Sequence, residues 1–227
     1  MWDALARIVI DRTRDWLANR NILLIRYSSG QRTKDVERVS RLKSERDLLL
    51  SHGEACQLMN AARATERVAG PAVEVGVFKG ASARLLRDSI PVSKTLHLLD
   101  TFEGLPEVDA VFDHRFARGE FKTQYEEVSA YLSDLPNIRL HKGLFPAETG
   151  RSIEDLTFSF VHLDVDLYQG TLDSLNFFYP RMSRGGIIVS HDFRSADGVD
   201  RAFREFFAGK PEPVVELLGY QALVMKL

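Results

Sequence analysis

The sequence has little of several features that would assign it to a special class of protein. A single cysteine, Cys56, excludes an internal disulfide and leaves a cysteine-based metal site without its other ligands. The longest early apolar runs, at residues 8–10 and 22–25, are too short for a signal-peptide core or a membrane span. We therefore expect a cytoplasmic protein without membrane association.

A strong excess of charge of one sign is also missing. The formal net charge is -2, although residues 1–47 carry 11 Lys and Arg against 7 Asp and Glu. This local basic excess is compensated by the remainder of the chain, so the balance gives no case for nucleic-acid binding. With 44% hydrophobic and 27% charged residues, the chain is ordinary for one globular domain with a terminal extension.

The N-terminal part has the pattern of helices rather than of a sheet. Trp2, Leu5, Val9 and Trp16 recur at roughly helical spacing among arginines, which predicts a basic amphipathic helix over residues 1–20. Such a helix could lie on a membrane surface, but packing across the domain or against a second copy is the simpler interpretation. We predict a helical extension over residues 1–69 and a homodimer or larger assembly.

From residue 70 onward, strands and helices alternate as in βαβ units, which predicts a mostly parallel sheet with helices on both faces. The predicted strands are 72–77, 95–100, 138–142, 158–166 and 187–190, and an antiparallel hairpin over 214–218 and 222–225 closes the domain. The predicted helices are 51–67, 82–89, 126–132, 171–182 and 199–207. The long connection 101–126 is predicted to be a lid, placed at about 103–126.

The first predicted strand runs through a glycine turn into a helix. Gly76 would allow close approach of a ligand, and Gly80 opens a helix at Ser82 whose free N–H groups favour an anionic group. The two glycines lie four apart, which differs from the dinucleotide fingerprint and favours a nucleoside ligand without pyrophosphate. A tight turn without a ligand is the alternative.

The second predicted strand ends at Asp100, 24 residues after Gly76. That spacing suits a carboxylate that accepts hydrogen bonds from both ribose hydroxyls of a nucleoside at the first turn. The alternative is a solvated loop acid.

Two later strands also end in acids. Asp164 and Asp166 end one predicted strand, and His191 and Asp192 end the next. Because converging carboxylates repel each other, a shared divalent cation is the economical interpretation. Asp164 and Asp166 lie two residues apart and would share one face of an extended strand, yet only one of them is expected to reach the ion. Oxygen ligands suit Mg²⁺, whereas the histidine shifts the choice toward Mn²⁺, Fe²⁺ or Zn²⁺. The alternative is that the acids bond a helix N-terminus.

Five motifs together resemble the macrocin O-methyltransferase (TylF-type) family of class I S-adenosylmethionine (SAM)-dependent methyltransferases. They are the glycine motif from Glu74 to Gly80, Asp100–Pro106, Lys142–Pro146, Leu163–Tyr168, and Phe178–Pro180 followed by Gly185 and Gly186. The resemblance implies a seven-stranded Rossmann-like sheet with a reversed last strand and SAM over the first turn. The motif residues that it assigns to the cofactor are Glu74, Gly76, Gly80, Ser82, Asp100, Thr101, Lys142, Gly143 and Asp164.

The resemblance also implies a sugar-like acceptor and a divalent metal, commonly Mg²⁺, with Asp164 and the pair that ends the fifth strand, His191 and Asp192, as its ligands. The family's Asp-Asp pair is His191-Asp192 here, and His114 stands where a lid histidine can act as the base. We predict a SAM-dependent O-methyltransferase, assisted by Mg²⁺ or Mn²⁺, that methylates a hydroxyl of a sugar or glycosylated natural product. The alternatives are a metal-independent methyltransferase with His191 as base, and a non-catalytic SAM-binding interaction protein.

Overall fold

The computed structural model describes Ile10 and residues 12–14, 16–20 and 30–227. The chain divides into two compact units, residues 1–37 and 38–227. In the first unit, residues 12–14 and 16–18 are helical, and most of the amphipathic helix predicted over 1–20 lies outside the described residues. Among the helices that are described, none has the length and apolar content needed to cross a membrane.

Helices and strands alternate along the second unit, as the sequence predicts. The helices are α1 (Gly30–Glu45, which contains the boundary between the units), α2 (His52–Ala64), α3 (Ala81–Ser89), α4 (Tyr125–Leu132), α5 (Tyr168–Phe178) and α6 (Asp197–Phe207). The strands are β1 (Ala72–Val75), β2 (Leu96–Asp100), β3 (Ile138–Lys142), β4 (Phe158–Leu163), β5 (Met182–Ser190), β6 (Val215–Glu216) and β7 (Ala222–Met225). Short 3₁₀ turns lie at Gly150–Ser152 and Tyr179–Arg181.

The strands form one seven-stranded sheet in the order β3-β2-β1-β4-β5-β7-β6. Strands β1 to β5 pair in parallel, and β7 runs antiparallel to β5 and β6. The predicted α/β fold with a reversed last strand is therefore confirmed. The strand order changes direction between β1 and β4, and the carboxyl ends beside that point are where open α/β sheets bind ligands.

Apolar side chains cover both faces of the sheet. One core cluster joins α2 and α3 to the sheet and contains Leu58, Leu85 and Phe160. The other includes Phe178, Phe203 and strand residues such as Val161. Every residue of β1 and β4 is buried, as in a central parallel strand between two helical layers.

Among the predicted bounds that differ from the structure are those of β4, α5 and β5. Strand β4 ends at Leu163 rather than at residue 166, because its last pairs are with Val75 and Ser190, the residues that end β1 and β5. Helix α5 starts at Tyr168 rather than at residue 171, and it ends at Phe178 rather than at residue 182. Pro180 has no backbone N–H with which to continue the helical hydrogen bonds. Strand β5 begins at Met182, five residues before the predicted start.

Helix α2 belongs to the second unit, and Ser51 begins it with a capping box. The Ser51 hydroxyl accepts the N–H of Glu54, and the Glu54 carboxylate accepts the N–H of Ser51, so two free N–H groups are satisfied. The proposed division between an extension (1–69) and a core (70–227) remains a prediction.

Candidate functional site

A cavity of about 340 Å³ lies at the carboxyl ends of β1, β2, β4 and β5, under the connection between β2 and α4. Its size is that of small-molecule sites in proteins. Apolar side chains, including Leu99, Phe116 and Phe145, form much of its wall. Its charged lining residues are Asp100, Arg115, Asp164, Asp166, His191 and Asp192. The sequence predicted this edge of the sheet as the site.

Asp100 holds the turn that follows β1. Its Oδ2 accepts the backbone N–H groups of Val77 at 2.7 Å and Phe78 at 2.9 Å, and its Oδ1 accepts that of Phe102 at 2.6 Å. Burial raises the pKa of Asp100, although these N–H donors oppose the shift. A carboxylate has about four acceptor positions, so Oδ1 has one left for a ligand hydroxyl. The expected contact with both ribose hydroxyls therefore reduces to one in this arrangement.

Glycine is required at residue 76 by the packing of the strand ends. It has φ 87°, and a Cβ atom there would lie 1.8 Å from the backbone oxygen of Asp164. Gly76 also lines the cavity, and its contact with a ligand stays a prediction. The N–H of Asp164 also donates to the carbonyl of Val75 at 2.9 Å, so the two strand ends are joined at the floor of the cavity.

An acidic group with one histidine follows β4 and β5. The Nδ1 of His191 lies 3.1 Å from Asp164 Oδ1 and 2.9 Å from Asp192 Oδ2. On the other side of the ring, Nε2 lies 3.8 Å from Glu54 Oε1. Asp192 is held in a left-handed conformation, with φ 58°, and its Oδ1 accepts the hydroxyl of Ser195 at 2.8 Å. One imidazole thus lies among three carboxylates.

These neighbours decide the charge of each group. Burial alone would lower the pKa of His191, but Asp164, Asp192 and Glu54 outweigh it and raise the pKa, which favours the imidazolium. Burial and the adjacent carboxylates raise the pKa of Asp166 well above its usual value. Burial also opposes ionisation of Asp192, but the contact with His191 prevails and lowers its pKa.

The donor set fits a divalent metal ion. Asp164, His191 and Asp192 each offer one ligand atom, and these atoms lie within 4.8 Å of one another. Two carboxylate oxygens and one imidazole nitrogen suit Mn²⁺, Fe²⁺ or Zn²⁺, and the oxygens also suit Mg²⁺. The imidazole must be neutral to act as a ligand, so a bound cation and the His191 imidazolium are alternative ways to balance the same carboxylates.

A second histidine and acid meet below the cavity. The Nδ1 of His162 on β4 lies 3.0 Å from Glu74 Oε1 on β1, and both side chains are 0% exposed. Burial raises the pKa of Glu74, and contacts with His162 and Ser82 oppose that shift. Glu74 does not line the cavity, so the structure replaces its expected contact with a cofactor by a pair inside the core.

The structure brings some of the predicted site residues to the cavity and leaves others outside. Those at the cavity are Gly76, Asp100, Thr101, Gly143, Asp164, His191 and Asp192. Among the others, Ser82 is buried beside Glu74, Gly80 faces Leu132, and Lys142 is exposed. His114 lies exposed on the lid and does not line the cavity, and its part as a base stays a prediction.

Three polar residues of the site were not among the predicted site residues. Asp166 lines the cavity beside Asp192, and Glu54 reaches His191 from helix α2. Arg115 lines the cavity from the lid, and no hydrogen bond or ion pair joins it to a residue in the described part of the chain. The capping pattern of Ser51 and Glu54 indicates a helix start and gives no sign that Glu54 approaches β5.

The lid is attached to the sheet domain at Asp113, which is 3% exposed. Its Oδ1 accepts the N–H of Tyr168 at the start of α5, at 3.0 Å. Phe112 packs on Tyr168 with ring centroids 4.8 Å apart. The next residues, from His114 to Phe116, are therefore fixed at one end close to the cavity.

Comparison with known proteins points to one family. The family model described as Macrocin-O-methyltransferase (TylF) matches residues 54–214. A curated relative from Streptomyces olivaceus is the 8-demethyl-8-(2,3-dimethoxy-alpha-L-rhamnosyl)-tetracenomycin-C 4'-O-methyltransferase. It is 28% identical over 179 residues, which cover 67% of this chain and 64% of the relative. The chain thus spans less than two thirds of that relative's length.

Solved structures share the fold. The O-methyltransferase NovP superposes with a TM-score of 0.66 at 23% identity, over 75% of this chain and 79% of its own. The O-methyltransferase TomG from Streptomyces achromogenes, solved in complex with SAM, gives a TM-score of 0.55 at 16% identity, over 96% of this chain and 98% of its own. These likenesses establish a Rossmann-like methyltransferase fold.

Proposed function

Because the chain belongs to the macrocin O-methyltransferase family, we propose that it transfers the methyl group of SAM to a hydroxyl of a sugar or glycosylated natural product. The observation that carries the proposal is one cavity whose wall has two adjoining parts. Asp100 and the turn after β1 form a nucleoside-binding part, and Asp164, His191 and Asp192 form a polar part beside it.

The nucleoside part suits SAM in shape and charge. Asp100 Oδ1 would accept one ribose hydroxyl, and the apolar side chains of Leu99, Leu144 and Phe145 would contact the adenine. The carboxylates lining the cavity outnumber its cations, which favours a positively charged sulfonium over its neutral product. The TomG structure with SAM supports this assignment at the level of the fold.

The acceptor would enter between the lid and the polar part. Arg115, Phe116 and Leu49 line the cavity there and offer one cation and two apolar surfaces. The relative from Streptomyces olivaceus is named as a 4'-O-methyltransferase of a tetracenomycin that carries a rhamnosyl group. Apolar walls around a polar centre suit such an acceptor, because the hydroxyl meets the polar group while the aglycone contacts the lid.

The reaction is a direct displacement. The acceptor oxygen attacks the methyl carbon of SAM, a C–O bond forms as the C–S bond breaks, and the thioether leaves without charge. The hydroxyl must also lose its proton, and a positioned base contributes typically 10²–10⁴-fold to such a step. The carboxylates of Asp164 and Asp192 are the available acceptors, because the raised pKa values of His191 and Asp166 favour the protonated forms of both groups.

Positioning supplies a further large part of the rate enhancement, since both reactants are held in line. Asp164, His191 and Asp192 would hold a divalent metal here, and such an ion lowers the pKa of a bound hydroxyl. A metal-independent reaction with His191 as base would need that histidine to lose its proton among three carboxylates. The predicted cytoplasmic location and homo-oligomeric assembly remain expectations.

The test is SAM turnover with acceptors of different classes. Purified protein is incubated with SAM and Mg²⁺ or Mn²⁺, together with p-nitrophenyl α-L-rhamnoside, TDP-L-rhamnose or catechol, and S-adenosylhomocysteine is measured. We expect turnover with a sugar acceptor and its loss in EDTA. Turnover with catechol alone would contradict the sugar class, and turnover that survives EDTA would contradict the role of the metal.

A further inference from the structure

We propose that Glu54 is a positioning residue that fixes the ring of His191, so that Nδ1 faces Asp164 and Asp192 as a metal ligand. Glu54 lies on helix α2, far from β5 in sequence, and its Oε1 lies 3.8 Å from His191 Nε2. It does not line the cavity, so it acts on the site through the imidazole. The inference rests on the metal-assisted form of the proposed function.

The Glu54 carboxylate has a fixed position. Its Oε2 accepts the N–H of Ser51 at 2.8 Å, and its Oε1 accepts the N–H of Tyr220 at 2.8 Å. Gly219 packs closely against this carboxylate, since a Cβ atom at Gly219 would lie 2.5 Å from Oε1. Glu54 is only 4% exposed. A helix start and the loop before β7 thus hold one carboxylate against the far side of the His191 ring.

The two sides of the ring have different partners. Nδ1 lies close to oxygens of Asp164 and Asp192, and Nε2 points toward Glu54. A neutral imidazole carries one N–H, and a metal ion at Nδ1 excludes the proton from that nitrogen, so the N–H is then on Nε2, toward Glu54. The lone pair of Nδ1 is then directed to the carboxylate pair, which is the orientation that a metal ligand needs.

The arrangement gives a physical reason for a histidine in this position. An aspartate at residue 191 would place another negative charge near Glu54, whereas an imidazole can donate its N–H to it. In known metal sites, loss of a carboxylate behind a ligating histidine typically lowers metal affinity by 10–100-fold. Glu54 and His191 would therefore work only as a pair.

Glu54 also caps helix α2, so the experiment must separate its structural role from its effect on the ring. Glu54→Gln removes the charge and keeps a side chain that suits a capping box. The matched control is Ser51→Ala, which removes the other half of the box without touching His191. Both variants are compared with the wild-type full-length chain by thermal unfolding.

The readout is Mn²⁺ affinity, measured by isothermal titration and by the electron paramagnetic resonance signal of free Mn²⁺. We expect Glu54→Gln to weaken Mn²⁺ binding by 10-fold or more, and Ser51→Ala to leave it unchanged. In a His191→Asp background, the effect of Glu54→Gln should vanish or reverse, because no imidazole remains and a repelling charge is removed.

Unchanged Mn²⁺ affinity in Glu54→Gln, or an equal loss in the His191→Asp background, would overturn the inference. SAM affinity measured on the same samples separates the possible failures. A wild-type protein that binds SAM but not Mn²⁺ contradicts this inference and leaves methyl transfer standing. Binding of neither would contradict the proposed function itself.

Discussion

Strands β4 and β5 place two histidines in carboxylate surroundings, and their environments lead to opposite roles. His162 meets Glu74 inside the core, where both side chains are 0% exposed. His191 meets Asp164, Asp192 and Glu54 at the strand ends, where its side chain is 11% exposed and lines the cavity. We call these the buried pair and the open group.

The difference lies in the number of acids and in access, since the residue types are the same. In the buried pair, the charge of one group can be balanced by the other, and no ligand can reach either. In the open group, one imidazole cannot balance three carboxylates completely, so a negative site remains for a cation. The presence of a histidine beside an acid is therefore a weak sign of function unless the exposure of the two side chains is known.

Removal of one acid from the open group should have the largest effect. Asp164→Asn takes away a candidate metal ligand and proton acceptor, so we expect turnover to fall by about 10²-fold or more. Its thermal stability should stay equal or rise, because a repelling carboxylate is lost. The assay uses whichever acceptor supports SAM turnover. Near wild-type turnover would show that the open group is not the reacting site.

Disruption of the buried pair should affect stability first. His162→Leu leaves the buried carboxyl of Glu74 without its hydrogen-bond partner, and such a loss costs about 1–3 kcal/mol. Denaturant unfolding measures this cost, and the double variant Glu74→Leu with His162→Leu should recover much of it. SAM affinity of the double variant should stay near the wild-type value.

The opposite result would contradict this comparison between the buried pair and the open group. If His162→Leu abolished turnover while its unfolding free energy stayed unchanged, the buried pair would have a direct part in the reaction. The contrast between the two environments would then fail.

A third histidine sharpens the comparison because its charged neighbours are basic. His97 is 8% exposed, and its Nδ1 lies 3.0 Å from Nε2 of His141. Burial, His141 and Arg139 lower the pKa of His97 to about 4. The unfolded chain therefore takes up a proton as pH falls below about 6.5 while the folded chain does not, so stability falls between pH 6.5 and 4.

We expect this effect to cost about 1–2 kcal/mol at pH 4.5, after allowance for partial solvent exposure. Denaturant unfolding at pH 7 and pH 4.5, in the wild type and His97→Gln, measures it. The variant should lose less stability over that interval. An equal loss in both proteins would assign the acid sensitivity to other groups.

Much of the fold could be predicted from the sequence because its signals are local. Strand β3 has the predicted bounds, Ile138–Lys142, and Asp100 ends β2 as expected. The acids after β4 and β5 also lie together, since parallel strands end at one edge of a sheet. The periodicity of apolar residues and the polar residues at the strand ends are both visible in the sequence, and together they predict these features.

The remaining features depend on contacts between distant segments. Glu74 looked like a ligand-binding acid, and only its register opposite His162 shows that it is buried. On the lid, Arg115 lines the cavity and His114 does not, and the Tyr168 N–H that donates to Asp113 holds this segment from a distant helix. Glu54 reaches His191 only after α2 packs beside β5, which no local pattern shows.

The measurement that tests the central claim most directly is SAM titration of the wild type, Asp100→Asn and Lys142→Ala, because it needs no acceptor. Asp100 lines the cavity, whereas Lys142 shares the family motif and is exposed outside it. We expect micromolar binding, weakened about 10-fold or more by Asp100→Asn and unchanged by Lys142→Ala. Absence of binding to the wild type, or equal affinity in Asp100→Asn, would contradict a SAM site at this edge of the sheet.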